Sequence, residues 1–220
     1  KLLTKKIMSA AFKFGTPIFY DTIEKELEFQ GITSESAIRR EMSNRALKSI
    51  NANDGSGGGA QNQAILRANG MKEEFGNGVC TRILIYNASG IPLVCYETHD
   101  SSGHWSKYGP PSRIEVGEWG VCFHVKTSGA ATGSSGIVSF HLEGEPYVFT
   151  VSWDTPWSGS NNASCYTMTK EGYEKTSWEK AHQWAEEGPA IGGETDCGFQ
   201  VEYSIDQDSS PILIAKISKA

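Results

Sequence analysis

The sequence lacks long apolar runs and clusters of basic residues. No apolar segment approaches the roughly 20 residues that a membrane-spanning helix requires. Lysine and arginine number 20 against 26 aspartate and glutamate, for a formal net charge of -6. Because no basic stripe is present, we expect no nucleic-acid partner. The acidic balance also disfavours simple electrostatic attraction to anionic membranes.

Cysteines are few, and their spacing excludes common disulfide frameworks and zinc motifs. The 220 residues include 5 cysteines, an odd number, and no two of them form a CxxC pair. We interpret them as reduced, mostly buried thiols and expect a cytoplasmic protein. The segment "KLLTKKIMSAAFKFGTPI" also lacks the apolar core and small-residue cleavage site of a signal peptide.

Motifs that would assign an enzyme class are scarce. The stretch "TGSSGI" has neither the spacing nor the strand–turn–helix setting of a nucleophile elbow. His99, Asp100 and His104 are expected in one loop, and they are residue types that bind metals. Separate surface and strand histidines explain the same pattern more simply. We therefore predict no metal, no cofactor and no catalytic residues, and we favour a non-enzymatic protein.

The hydrophobic pattern divides the chain into two segments. We predict an N-terminal helical extension over residues 1–78, with a glycine-rich joint at 53–61 and a last helix interrupted by glycine. From residue 79 the pattern changes to period two, with turn signals about every ten residues. This pattern predicts an antiparallel β-sandwich over residues 79–220, flanked by one late helix from "TSWEKAHQWAEEG".

An aromatic loop follows the strand "YVFTVSW". Alternation places Trp153 on the apolar side of this strand with Phe149 and Val151, so we expect Trp153 in the core. Trp157 lies beyond Pro156 among serine, asparagine and glycine. We therefore expect Trp157 to meet solvent or a ligand.

More aromatic residues lie in and before the late helix. At 100° per residue, Trp178 and His182 are about 40° apart, whereas Trp184 falls roughly 120° from Trp178. One helix face can therefore attach to the sandwich while another presents an aromatic ring. The simpler interpretation is that these rings only attach loop and helix to the sheet. The functional interpretation is a platform for a lipid head group, a quaternary ammonium or a sugar.

Several motifs carry family resemblances in collinear order. "GAATGSSGIVSF", "FTVSWDTPWSGSNN" and "ILIAKISKA" resemble segments of the actinoporins, pore-forming β-sandwich toxins. "FGTPI", "FGNGVCTRILIYNASG" and "SPILIAKI" are similar to segments of the small, 23 kDa jasmonate-induced proteins of plants. The resemblance implies an actinoporin-like sandwich in a stress- or hormone-responsive plant protein.

The actinoporin resemblance also implies a ligand site between the loop and the following helix, where that family holds phosphocholine. Ser152, Pro156 and Trp157 match the serine, proline and aromatic residue of that loop. The predicted ligand-binding residues are Ser152, Pro156, Trp157, Tyr166, Tyr173, Trp178, His182 and Trp184. The chain lacks the long apolar–amphipathic N-terminal helix of the toxins, which argues against pore formation.

We therefore expect a non-enzymatic stress protein that binds a small polar ligand, a lipid head group or a sugar, with peripheral membrane contact. One alternative is an enzyme of specialised metabolism that uses His99, His104 or His182 as acid or base. Others are a membrane-permeabilising protein and an interaction module whose aromatic residues face a protein partner.

Overall fold

A computed structural model describes residues 12–50 and 59–220, folded as two stacked β-sheets with helices on both outer faces. The strands are β1 (Phe12–Phe14), β2 (Cys80–Ala88), β3 (Leu93–Ser102), β4 (His104–Trp105), β5 (Arg113–Ile114), β6 (Trp119–Val125), β7 (Ser134–Leu142), β8 (Tyr147–Thr155), β9 (Asn162–Thr169), β10 (Ile191–Asp196), β11 (Phe199–Ile205) and β12 (Ile212–Lys219). The helices are α1 (Tyr20–Glu28), α2 (Glu35–Ile50), α3 (Gly59–Phe75), α4 (Lys170–Lys175) and α5 (Trp178–Glu187).

The first sheet has the order β1–β6–β2–β12–β11–β10, with β4 also pairing with β6. The second has the order β5–β3–β7–β8–β9. The predicted β-sandwich with flanking helices is confirmed. Within the described strands, β2 and β12 form the single parallel pair, with Ile214 opposite Leu84, so "antiparallel" is wrong for that pair alone.

Two hydrophobic cores lie on opposite faces of the first sheet. Alternation along β2 sends Ile83 and Ile85 into the core between the sheets, and Leu84 and Tyr86 into the core beneath the N-terminal helices. Because both faces are covered, β2 is apolar almost throughout instead of alternating with polar residues. Trp153 belongs to the core between the sheets and is fully buried, which confirms its predicted place.

The N-terminal helices pack directly on the first sheet. Met42 of α2 and Met71 of α3 are buried in the second core, and the Tyr86 hydroxyl donates to the Ala46 carbonyl at 2.7 Å. The predicted boundary at residues 78 and 79 falls between α3 and β2. The division into two domains stays a prediction, since these helices share their core with the sheet.

The segment before residue 79 differs from the expected pattern in two ways. Phe12–Phe14 forms β1, which pairs with β6, so the segment is not purely helical. The helix α3 continues through Gly70, because burial of Ala68 and Met71 offsets the roughly 1 kcal/mol that an internal glycine costs. Residues 53–58 of the predicted joint lie outside the described residues, and 59–61 are helical.

Two late helices, not one, cover part of the second sheet. The Ser177 hydroxyl accepts the Lys180 backbone N–H at 3.2 Å and caps the start of α5. At the other end, a side chain at Gly188 would overlap the Ala163 carbonyl, so glycine allows the helix end to approach β9. Within the described residues, no helix is both long and apolar enough to cross a bilayer.

Candidate ligand-binding site

The residues predicted in the loop have different surroundings. Ser152 is fully buried, and its hydroxyl donates to the Ser164 carbonyl at 2.7 Å. It therefore links β8 to β9. Pro156 and Trp157 follow β8. Trp157 is 54% exposed, with the Lys126 ammonium 5.4 Å from its ring centroid.

The predicted aromatic residues beyond the loop separate into two groups, and the first packs against β3. Trp178 stacks on His99 with ring centroids 4.8 Å apart, and Tyr173 meets the edge of Trp178 at 6.1 Å. The Tyr173 hydroxyl donates to Glu97 at 3.4 Å. Burial raises the pKa of Tyr173, which keeps the phenol neutral. Trp178 and Tyr173 thus pack mainly against protein neighbours, which include Tyr96 at 5.7 Å.

The second group lines an open pocket of about 440 Å³ between β9, the end of α5 and the β10–β11 hairpin. Trp184 and Tyr166 meet edge to face at 5.2 Å. Both rings line the pocket, and Tyr203 of β11 adds a third aromatic wall. The volume lies within the usual range for small-molecule sites. Of the predicted set, this pocket brings together Tyr166 and Trp184, without Trp157 or Trp178.

The Tyr203 wall depends on a glycine of the neighbouring strand. Gly192 lies directly opposite Tyr203 in the β10–β11 pair, and a side chain at 192 would overlap the phenol ring. Burial raises the pKa of Tyr203 to about 12, so the phenol is neutral at physiological pH. Glycine at 192 therefore leaves this ring and its hydroxyl beside the pocket.

Three carboxylates also line the pocket, and they belong to Glu187, Glu194 and Asp196. One Glu194 oxygen accepts the Thr167 backbone N–H at 3.2 Å. Burial is the largest cause of a raised pKa at Glu194, and nearby Asp196 adds to it. The pocket thus combines aromatic walls with carboxylates of three exposed residues.

The histidines do not form a shared site. The predicted loop over His99, Asp100 and His104 is wrong, because β3 pairs with β7 as far as Ser102 and β4 follows at His104. Two register shifts along β3 let this polar stretch continue as a strand. His182 lies on α5 with its Nε2 3.3 Å from Glu186. In the described ranges, no group of three or more metal-binding side chains is suited to an ion.

A buried polar cluster lies between the sheets, and sequence reasoning missed it. His124 Nδ1 lies 2.9 Å from the Ser134 hydroxyl, which lies 2.8 Å from the Thr81 hydroxyl. The Thr81 hydroxyl in turn donates to Thr155 at 3.0 Å. Burial lowers the pKa of His124, which favours the neutral imidazole. All four side chains are fully buried, so the cluster is closed to a substrate.

The cluster continues to the surface through a carboxylate. Asp100 lies 3.3 Å from His124 Nε2, which completes an aspartate–histidine–serine sequence of contacts. Ser134 is fully buried and is held by other hydroxyls, so it is not placed as a nucleophile. The edges of Trp105 and Trp153 pack against His124, each at 5.1 Å.

Comparison with known proteins identifies one family that covers nearly all of the chain. The profile of the family described as "Nakanori-like protein" matches residues 14–220. A "23 kDa jasmonate-induced protein" of Hordeum vulgare is 33% identical over 162 residues, which cover 72% of each chain. This relative confirms the resemblance to the jasmonate-induced proteins.

A solved structure has the same fold. The crystal structure of the lipid binding protein Nakanori superposes with a TM-score of 0.82 at 20% identity, and the match covers 94% of this chain and 100% of that one. At this identity the likeness establishes the fold alone. Together with the family profile over residues 14–220, it shows that the chain belongs to the Nakanori-like protein family.

Proposed function

We propose that the protein binds a small polar ligand, a lipid head group or a sugar, in the pocket between β9, α5 and β10. One observation carries this proposal: the aromatic rings of Tyr166, Trp184 and Tyr203 together line an open space of about 440 Å³. The rings offer flat apolar faces, and two of them also carry hydroxyls. Head groups and sugars both present apolar and polar atoms together, which suits such a lining.

The relatives support the same class of function. One relative is named a lipid binding protein, and another is named for its induction by jasmonate. We therefore propose a cytoplasmic, stress- or jasmonate-responsive plant protein that acts by binding and not by catalysis. Exposed Trp157, beside Lys126, is the proposed point of peripheral membrane contact, since tryptophan favours the membrane–water interface.

The binding proposal is tested with Trp184→Ala and isothermal titration calorimetry. The probes are phosphocholine, methyl glucoside, butylammonium chloride, and vesicles of phosphatidylcholine with sphingomyelin. We expect at least one probe to bind the wild type saturably and to bind Trp184→Ala about tenfold or more weakly, since an aromatic contact contributes on the order of 1–2 kcal/mol.

The matched control is Trp157→Ala, which removes a tryptophan outside the pocket. It should leave the affinity for soluble probes unchanged and weaken only the vesicle response. Equal affinity of wild type and Trp184→Ala for every probe would place the site elsewhere. An absence of saturable binding to all four probes would refute the proposed function.

A further inference from the structure

Strand β10 carries carboxylates on the face where its neighbours carry apolar residues. Glu194 lies directly opposite Val201, and Asp196 lies opposite Phe199. Val201 and Phe199 belong to the core between the sheets, and opposite residues share one face of a sheet. On the other face, Ile191 is 77% exposed. The polarity of β10 is therefore reversed relative to β11.

The Glu194 carboxylate retains unused bonding capacity. One of its oxygens accepts the Thr167 backbone N–H, and the second oxygen has no hydrogen-bond partner among the described residues. The ion pairs of the described chain lie elsewhere and do not include Glu187, Glu194 or Asp196. Glu194 is an exposed residue that lines the pocket, so this second oxygen is open to a positively charged ligand.

The Tyr203 hydroxyl provides a second, independent indication. Tyr203 is only 9% exposed and lines the pocket, and its hydroxyl has no hydrogen-bond partner in the described part of the protein. The hydroxyl oxygen itself is not buried, so it meets the open space of the pocket, where a ligand can bond to it. Its neighbour Tyr166 differs, because the Tyr166 hydroxyl bonds to Thr150. The Tyr203 hydroxyl can therefore accept one N–H from a ligand while Glu194 accepts another.

The Trp184 wall of the pocket suits a cation as well. The Lys180 ammonium lies 5.7 Å from the Trp184 ring centroid, which shows that this ring already has a cation near it. Lys180 bonds to Gln183 at 3.2 Å on the helix surface and does not line the pocket. Aromatic rings beside carboxylates are the combination that attracts ammonium groups.

We propose that the pocket binds a protonated primary amine, whose N–H groups donate to Glu194 and to the Tyr203 hydroxyl while Trp184 faces its alkyl stem. This inference rests on the proposed function and specifies its ligand. A free phosphate is disfavoured by the three carboxylates. The ligand is thus a soluble amine or a head group that ends in one.

Another role for β10 makes the opposite prediction. Inward-pointing charges on an edge strand protect the sheet from pairing with another chain. If Glu194 served only that purpose, its charge would matter for solubility and not for the affinity of any amine.

The test is calorimetric titration of the full chain with butylammonium chloride, with tetramethylammonium chloride and butanol as comparators. Butylammonium has both charge and N–H groups, tetramethylammonium has charge alone, and butanol has no charge. We expect saturable binding in the order butylammonium, tetramethylammonium, butanol. Glu194→Gln should weaken butylammonium binding about tenfold, and Tyr203→Phe should weaken it several-fold with its ring retained.

The control variant is Glu202→Gln, which removes an exposed carboxylate of β11. It should bind butylammonium as the wild type does. The amine proposal is overturned if Glu194→Gln and Glu202→Gln bind butylammonium equally well, or if tetramethylammonium binds as tightly as butylammonium. Trp184-dependent binding of phosphocholine or glucoside without any binding of butylammonium would overturn the amine alone and leave the proposed function standing.

Discussion

Polar groups of the sandwich form two regions with opposite bonding patterns, one buried between the sheets and one open to solvent. In the closed cluster, His124, Ser134 and Thr81 bond to one another and to Thr155. In the pocket beside β10, Glu194 and Tyr203 each keep an oxygen without a hydrogen-bond partner among the described residues. Mutually bonded groups stabilise one arrangement of the chain. Polar groups without a protein partner remain available for hydrogen bonds to water or to a ligand.

The aromatic residues follow the same division. Trp153 is fully buried and packs against Trp105 and His124, whereas Trp184 lines open space. Both are tryptophans beside polar side chains, and both contact a strand of the second sheet. What separates them is access to solvent, since Trp153 is fully buried and Trp184 faces the pocket. The comparison can therefore be tested by substitutions that act on one region at a time.

The largest expected effect comes from Trp153→Ala in the closed cluster. Removing a fully buried tryptophan costs roughly 3–5 kcal/mol of unfolding free energy, through lost burial and the cavity that remains. Urea denaturation followed by far-UV circular dichroism measures this loss. The matched variant Trp157→Ala, at a ring 54% exposed, should change stability by about 0.5 kcal/mol or less. Similar losses for the two variants would contradict the comparison.

A smaller loss is expected for Ser134→Ala. This change removes one hydroxyl and leaves His124 and Thr81 short of a buried partner, which costs about 1–3 kcal/mol. The control is Ser160→Ala, at an exposed loop position, for which we expect no measurable change. Wild-type stability in Ser134→Ala would mean that the cluster does not depend on its internal bonds.

The smallest effect on stability is expected for Glu194→Gln, and its sign is reversed. Because the folded pKa of Glu194 is raised, the folded protein binds a proton more tightly than the unfolded chain does. The stability that this provides is present at acid pH and is lost as pH rises through the folded pKa. Glutamine stays neutral, so the variant should gain stability relative to wild type as pH increases from about 4 to 7.

The gain for Glu194→Gln should be about 0.5 kcal/mol or less, as for most exposed positions. Urea denaturation at several pH values gives the difference between variant and wild type. Glu202→Gln, on the outer face of β11, is the matched control for the removal of one carboxylate. A clear loss of stability at neutral pH would mean that the Glu194 charge supports the fold. Stability gained together with amine binding lost would instead mark a functional site.

The architecture could be predicted from the sequence because it rests on local patterns. Alternation along "YVFTVSW" is enough to place Trp153 in the core, since its apolar neighbours recur every second residue. Helix periodicity likewise locates α2, whose Met42 and Ala46 are buried. These features depend on neighbours in sequence, which a single chain displays.

The pocket could not be predicted in the same way, because it depends on pairs that are distant in sequence. β10 reads "IGGETD", with two glycines and no apolar alternation, and it is a strand because it pairs with β11. Val201 and Tyr203 alternate with polar residues in "GFQVEYSI", a pattern that places both on one face of a strand. Nothing local indicated that Tyr203 would lie beside Trp184, or that Trp178 would stack on His99.

The parallel pairing of β2 with β12 has a consequence for the pocket. β12 lies between β2 and β11 in the first sheet, so within that sheet the β10–β11 hairpin is joined through residues 212–219. The hairpin also packs against β9 of the second sheet, where the Thr167 hydroxyl donates to the Asp196 carbonyl at 3.0 Å. The wall that carries Tyr203 is therefore held from both sheets, and a change in either sheet can shift it relative to Trp184.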